Sequence, residues 1–421
     1  MTDLDTFSAL LAPEGQQLLA LLRDHDPADE LATATRLRRD HPAPLVSAAL
    51  GQARLRQRAA AKFGADAARM YFTPHGVEQS TRAPVAAHRA ARLAALGVRS
   101  LADLCCGIGG DALALARAGI RVLAVDRDPL ACAAARANAE ALGLADRIEV
   151  RCADVTEVDT DGYDAVFVDP ARRGSVRGAR IFDPEAYSPP LSWAVEAART
   201  APYAALKIAP GVPHEALPDD AETEWISDGG DVKEAVLWFG TGAGGARRAT
   251  LLPSGDSLVG AGLPDPSAPR PATTPAGDSP GVRPEGPPSH RPPVGPVGRW
   301  LYEPDGAVIR AHLVADVAER VDGRLIDPTI AYVTADHLVP TPYATAYTIT
   351  DVLPFNVKKL RALLRERAVG VAVIKKRGSA VEPEELRKKL KLAGPHSCTV
   401  FLTRVAGAPT MLLGHPAAEG A

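Results

Sequence analysis

The chain predicts an α/β protein built on a doubly wound, largely parallel sheet, and three observations predict it. Between residues 100 and 208, short apolar runs alternate with alanine-rich amphipathic segments. That alternation is the signature of strand–helix–strand units. The first apolar run breaks into Cys105-Cys106-Gly107-Ile108-Gly109-Gly110 before a helix begins, a turn that lets a ligand approach bare backbone at a helix N-terminus. Acidic residues then stand at or just beyond the ends of the next three runs: Asp126, Asp154 and Asp169.

Taken in order, residues 1–80 predict a helical region. Leu10, Leu11, Leu18, Leu19, Leu21 and Leu22 form an amphipathic pattern interrupted near Pro13, with further helices starting near Pro27 and Pro44. Pro74 and Gly76 mark a loop, and Ser80 or Thr81 is placed to cap a helix running to about Leu96. The sheet domain occupies 81–250. Strands are expected over 100–104, 121–125, 148–151, 165–168 and 203–208, with helices over 111–118, 129–142 and 191–199. The segment 224–239 reads as an antiparallel hairpin around Asp228-Gly229-Gly230, at the sheet edge. Apolar periodicity then vanishes over 251–298, about a quarter of which is proline, so a disordered linker is expected. Residues 299–416 return to order as a small α+β domain, with basic helices over 356–367 and 383–392.

Composition bounds the function. A length of 421 residues with 46% hydrophobic content supports two or three domains with sizeable cores. The net charge of -3 rules out a polycation, so contact with nucleic acid must come from a local patch. Five scattered cysteines do not make a disulfide framework, and no cysteine or histidine spacing suggests a metal. No signal-peptide pattern and no membrane-length apolar run is present, and a cytoplasmic protein is expected.

In a doubly wound sheet the ligand lies across the carboxyl ends of the strands. Asp126 ends the second strand, nineteen residues after Gly107; a carboxylate there accepts both hydroxyls of a ribose. Asp154 follows the third strand and suits an adenine amino group. Gly107-x-Gly109-x-x-Ala112 also satisfies a dinucleotide fingerprint. Asp111, however, sits where a diphosphate would pack, and it would repel one. Asp111, or Asp103 within the first strand, suits a cationic amino-acid tail instead. S-adenosylmethionine has such a tail.

Asp103-Leu-Cys-Cys-Gly-Ile-Gly109, Val125-Asp126, Ala153-Asp154 and Val168-Asp169-Pro170 resemble successive motifs of class I S-adenosylmethionine-dependent methyltransferases, over about 85–240. A narrower resemblance follows from Phe72-Thr73, Glu78-Gln79, the glycine block, Asp169-Pro-Ala-Arg172, Lys207-Ile-Ala-Pro-Gly211 and Val232-Lys-Glu234, in that order. These are similar to bacterial methyltransferases with a C-terminal THUMP-like domain. Tyr302-Glu-Pro-Asp-Gly-Ala-Val-Ile-Arg310 and Lys375-Lys-Arg-Gly378 resemble that appended domain. The long proline-rich insertion departs from the compact pattern.

The resemblance implies a Rossmann-like methyltransferase sheet, S-adenosylmethionine as cofactor and an RNA substrate, a tRNA or rRNA. It implies cofactor contacts from Glu78, Gln79, Asp103, Gly107, Gly109, Asp111, Asp126, Arg127, Asp154 and Asp169. The acceptor would meet Asp169, Pro170 and Arg172. Cysteine-mediated attack on a pyrimidine is disfavoured, because the only cysteine after Asp169 is Cys398. Lys207 is placed either to reach the site or to pair with an aspartate.

Between Val352 and Arg404 stand 13 Lys or Arg against 4 acidic residues. Lys358, Lys359, Arg361, Lys375, Lys376, Arg377, Lys388 and Lys389 are the expected phosphate contacts. Two other readings stay open at this point: a methyltransferase acting on small molecules or proteins, and a catalytically idle RNA-binding protein.

Overall fold

A computed structural model describes residues 3–172, 185, 187–260 and 292–417. The chain divides into two compact units. One comprises Met1–Thr223 with Glu234–Gly245, and the other Glu224–Lys233 with Ala246–Ala421.

The first unit opens with helices α1 (Asp3–Leu11), α2 (Pro13–Leu21), α3 (Glu30–Leu37) and α4 (Ala43–Phe63). Pro13 interrupts the leucine pattern by starting a new helix, at a position whose N–H has no intrahelical partner in any case. The long α4 buries Leu45, Val46, Ala49, Leu50 and Ala53. Short α5 (Pro74–Gln79) is capped by the Thr73 hydroxyl, which accepts from the Gly76 N–H at 2.9 Å. Helix α6 (Ala83–Ala95) starts without a side-chain cap. Of the two residues offered as its cap, Ser80 donates its hydroxyl to Gly76 O and Thr81 turns to Asp111.

Strands β1 (Ser100–Leu104), β2 (Arg121–Asp126), β3 (Ile148–Cys152), β4 (Ala165–Val168), β5 (Ala171–Arg172), β6 (Tyr187–Ser188), β7 (Tyr203–Ile208), β8 (Glu222–Asp228) and β9 (Asp231–Phe239) follow. They alternate with α7 (Gly110–Arg117), α8 (Pro129–Ala141) and α9 (Leu191–Thr200). The sheet of this unit runs β3-β2-β1-β4-β7-β9. Its first five strands are parallel and β9 is antiparallel to β7. Strand β4 is buried throughout and uninterruptedly apolar, as a parallel strand covered on both faces must be. Chain order reverses between β1 and β4, so a crevice opens at their carboxyl ends. The glycine cluster and Asp169 stand at those two ends. The small ribbon β5–β6 pairs Arg172 with Tyr187.

The β8–β9 turn uses Gly229 (φ 62°) and Gly230 (φ 84°), the positive-φ pair that a tight hairpin favours. Contrary to expectation, β8 is not an edge strand. Within the second unit it is followed by strands β10 (Arg247–Leu252) and β11 (Asp256–Gly260), in the order β8-β10-β11. The expected linker from 251 therefore begins inside a regular antiparallel ladder that pairs Arg247 with Gly260 and Leu251 with Asp256. The cross-strand pair Ala249 and Leu258 is buried; proline counting hid this short ribbon. The remainder of the expected linker, 261–291, lies outside the described residues.

The second unit continues with β12 (Trp300–Pro304), α10 (Gly306–Arg310), α11 (Val314–Arg320), β13 (Arg324–Asp327), β14 (Ile330–Ala335) and β15 (Ala344–Pro354). It ends with α12 (Val357–Glu366), β16 (Val369–Lys376), α13 (Pro383–Leu390), β17 (His396–Val405) and β18 (Ala408–Pro416). Its sheet runs β13-β14-β12-β15-β18-β17-β16. Helices α12 and α13 bury Leu360, Leu364, Leu386 and Leu390 against Ala372, Val400, Leu402, Met411 and Leu413. Elsewhere in the unit Phe401 meets Tyr332 and Tyr347 edge-on. Among the described residues no helix is long and apolar enough to cross a membrane.

Candidate active site

Strand β1 leaves the sheet through Cys105 (φ 70°) and Gly107 (φ 55°), and Gly109 (φ 85°) forms the N-cap of α7. At Gly109 a Cβ would lie 3.3 Å from the Cβ of Ala135 on α8, on a backbone that L side chains rarely adopt. The loop is tied down by backbone and by one carboxylate. Cys106 N–H donates to Val125 O, and Gly109 N–H to Cys106 O, each at 2.9 Å. Asp126, closing β2, accepts Gly107 N–H on Oδ2 and Asp128 N–H on Oδ1, both at 2.9 Å. Each oxygen keeps a lone pair for a further donor.

Two buried amides hold the upstream loop beside this turn, and the sequence did not single them out. Asn138 on α8 donates to Tyr71 O (3.0 Å) and Ile108 O (2.9 Å), and its Oδ1 accepts Tyr71 N–H at 2.6 Å. Gln52 on α4 pairs with both backbone groups of Phe72. Gly76 then sits so close to Ile108 that a Cβ would lie 2.6 Å from its Cγ2. The signal was present: Asn138 and Gln52 are amides on the apolar stripes of their helices.

Asp103 is 0% exposed, and both its carboxylate oxygens lack a partner among the described residues. Burial, then the nearby carboxylates of Asp111 and Asp169, push its carboxyl well above the usual range. Asp154 is exposed and caps the turn after β3, accepting from Thr156 N–H (3.0 Å) and Thr156 Oγ1 (2.7 Å). Those bonds hold its carboxyl below the usual range. Arg127, Glu78 and Gln79 are all exposed. Glu78 lies 3.3 Å from Arg58, a surface pair.

Asp111 corrects an expectation. Its carboxylate does not stand open to a ligand at the start of α7. Oδ2 accepts from Thr81 Oγ1 at 2.8 Å, and Oδ1 pairs with Arg89. Arg89, 1% exposed, grips Glu234 of β9 with its other arm and lies 4.4 Å above the Phe167 ring. The carboxylates hold its guanidinium charged against the cost of burial. Arg89 shares one helix stripe with Val85, Ala86, Ala90 and Leu93, all buried. A lone charge in such a stripe announces a buried partner.

Asp169, at the end of β4, donates its N–H to Leu104 O at 3.2 Å. Its Oδ2 receives Lys207 Nζ from β7 at 2.7 Å. Pro170 is buried behind it, and the side chain of Arg172 lies outside the described residues. The site thus brings together Asp103, Gly107, Asp126 and Asp169, with Asp154 at the end of the neighbouring strand.

Residues 101–171 match the methyltransferase domain family, and 344–416 match the THUMP domain-like family. Residues 3–59 match a family described as a domain of unknown function. An uncharacterized S-adenosylmethionine-dependent methyltransferase of Mycobacterium tuberculosis is 36% identical over 362 residues, covering 83% of this chain and 90% of the relative. The chain belongs to the S-adenosylmethionine-dependent methyltransferases. S-adenosylmethionine is therefore the methyltransferase's cofactor. A crystal structure described as a methyltransferase of Porphyromonas gingivalis W83 shares its fold, with a TM-score of 0.70 at 21% identity over 94% of this chain and 99% of that one. A shorter similarity, 35% over 88 residues and 20% of each chain, is to the 23S rRNA (uracil(1939)-C(5))-methyltransferase RlmD of Acidithiobacillus ferrooxidans.

Proposed function

We propose that this methyltransferase transfers the methyl group to a nucleotide of a structured RNA, a tRNA or rRNA. The observation that carries the RNA half is the exposed basic surface of the THUMP-like domain. Lys358 and Lys359 on α12 and Lys388 and Lys389 on α13 are all exposed. The short similarity to an enzyme named for 23S rRNA supports the same class.

Not every expected phosphate contact belongs to that surface. Lys375 is half-buried and paired with Glu303. Lys376 lies 2.7 Å from Glu382. Arg377 stacks 5.2 Å over Tyr332, and Arg361 has a buried Nε. Replacing Lys358, Lys359, Lys388 and Lys389 together by glutamine is expected to weaken binding of total tRNA and rRNA. The salt slope, d log K/d log[salt], should flatten by about 3–4 if each lysine meets one phosphate. Filter binding across a salt series measures it, and an unchanged slope contradicts the assignment.

At the other half, the chain's own groups suit each part of the cofactor. Asp126 offers an acceptor to each ribose hydroxyl, and Asp154 keeps one oxygen for the adenine amine. The bare loop at Gly107 and Gly109 admits the methionine part. Asp103 faces its α-ammonium, which supplies the partner that this buried carboxyl lacks. Glu78, Gln79 and Arg127 form the rim. Methyl transfer is an in-line displacement, and Asp169 with Pro170 and Arg172 orients the acceptor or takes its proton. Burial, then Asp126 and Asp169, push the Cys105 thiol far up, and burial raises Cys398. Neither is a ready thiolate, so a cysteine nucleophile is not part of this reading.

Asp103 has a proton-linked consequence. In the cofactor-free protein burial favours its neutral form, whereas pairing with an ammonium favours the carboxylate. Binding therefore releases a proton, and affinity rises with pH through the titration of the free protein. An acid raised on folding contributes stability at low pH that is lost as pH rises. Asp103→Asn should then raise the thermal midpoint of the cofactor-free protein at pH 7 to 8 while weakening S-adenosylmethionine at least tenfold. Calorimetry in buffers of different ionisation enthalpy reads the released proton; zero release contradicts the role.

A further inference from the structure

The structure assigns a positioning role to Lys207: it fixes the Asp169 carboxylate for methyl transfer through a buried chain of polar contacts. This rests on the reading of Asp169 as the group facing the acceptor. Lys207 Nζ reaches Asp169 Oδ2 at 2.7 Å and Thr81 Oγ1 at 3.0 Å. Thr81 Oγ1 in turn donates its O–H to Asp111 Oδ2 at 2.8 Å. Asp111 is gripped by Arg89, and Arg89 by Glu234. Each link has one donor direction, so the hydroxyl of Thr81 cannot turn without breaking a bond on one side.

The chain is anchored in the core and opens toward the crevice. Side-chain exposure is 1% at Arg89, 13% at Lys207 and 29% at Asp169. Asp169 Oδ1 has no partner among the described residues, so Lys207 holds one carboxylate oxygen and leaves the other for the acceptor. Burial works against the Lys207 ammonium, but Asp169, Glu234 and Asp111 outweigh it and raise its pKa.

The test follows radiolabelled methyl transfer from S-adenosylmethionine by the full-length protein into a whole-cell extract of a strain lacking the gene. Such an extract supplies the acceptor whatever its class. Lys207→Met should lower kcat by 30-fold or more while the KM for S-adenosylmethionine stays within threefold. Lys207→Arg, which keeps a cation and a donor facing Asp169, should recover most of the lost turnover. Thr81→Val, close in shape, should lower kcat in the same way by less, and decides the question if Lys207→Met does not fold.

Parental turnover in Lys207→Met, or a loss of kcat that Lys207→Arg does not recover, overturns the role of Lys207. Asp169→Asn with full turnover overturns the Asp169 reading and this inference with it. Label that enters protein or small molecules but not RNA overturns the RNA substrate alone.

Discussion

Asp126→Ala is expected to weaken S-adenosylmethionine binding by about two to four orders of magnitude. Two hydrogen bonds to a charged acceptor are lost, each worth about 1.5–3 kcal/mol. The same carboxylate holds Gly107 N–H and Asp128 N–H, so the glycine loop loses its tie to β2 as well. Both losses act in one direction. Asp126→Asn should fall between, because its amide keeps a single acceptor oxygen. Titration calorimetry on the purified protein measures the effect, and near-parental affinity for the alanine variant would remove Asp126 from the site.

The second large effect falls on stability. Arg89→Met leaves Asp111 and Glu234 buried without their shared cation. Breaking one side of a buried ionic cluster costs about 3–5 kcal/mol. In a unit of this size that lowers the thermal midpoint by roughly 10 °C. Burial already raises Glu234 while Arg89 and Lys207 pull it down. Without Arg89 the Glu234 carboxyl should rise further and bind a proton when folded. The folded variant then binds more protons than its unfolded chain, so its stability falls as pH rises through that window. The deficit against the parent should be largest near pH 8 and shrink toward pH 5. Differential scanning calorimetry across that range reads it; a midpoint within 2–3 °C of the parent, about 1 kcal/mol, would show the cluster to be energetically idle.

The parts of the fold set by local patterning were legible. Strand β4 is an uninterrupted apolar run, β1, β2 and β7 are largely apolar ones, and their partners follow from alternation with helices. Asp103, Gly107, Asp126, Asp154 and Asp169 were legible as candidates because each stands at or beside the end of such a run. Less legible was what each candidate touches. Asp111 looks like a ligand group on its helix, yet Thr81 and Arg89, from 30 and 22 residues upstream, occupy it. Glu234 completes that cluster from 145 residues beyond Arg89. No local period encodes such pairings. The β10–β11 ribbon escaped for a different reason: its strands are short, and the proline-rich composition that follows outweighs them in any window. Lys375 looked like one of a basic triplet, but strand alternation turns it to Glu303 while its neighbours face elsewhere.

The most direct test of the account is methyl transfer to RNA itself. Purified protein and methyl-labelled S-adenosylmethionine are incubated with total tRNA and rRNA from a strain lacking the gene, and the nucleosides are resolved by mass spectrometry. Label in one methylated nucleoside, absent from that strain's RNA and lost with Asp169→Ala at unchanged cofactor affinity, is the predicted result. Unlabelled RNA beside intact S-adenosylmethionine binding would contradict the RNA substrate.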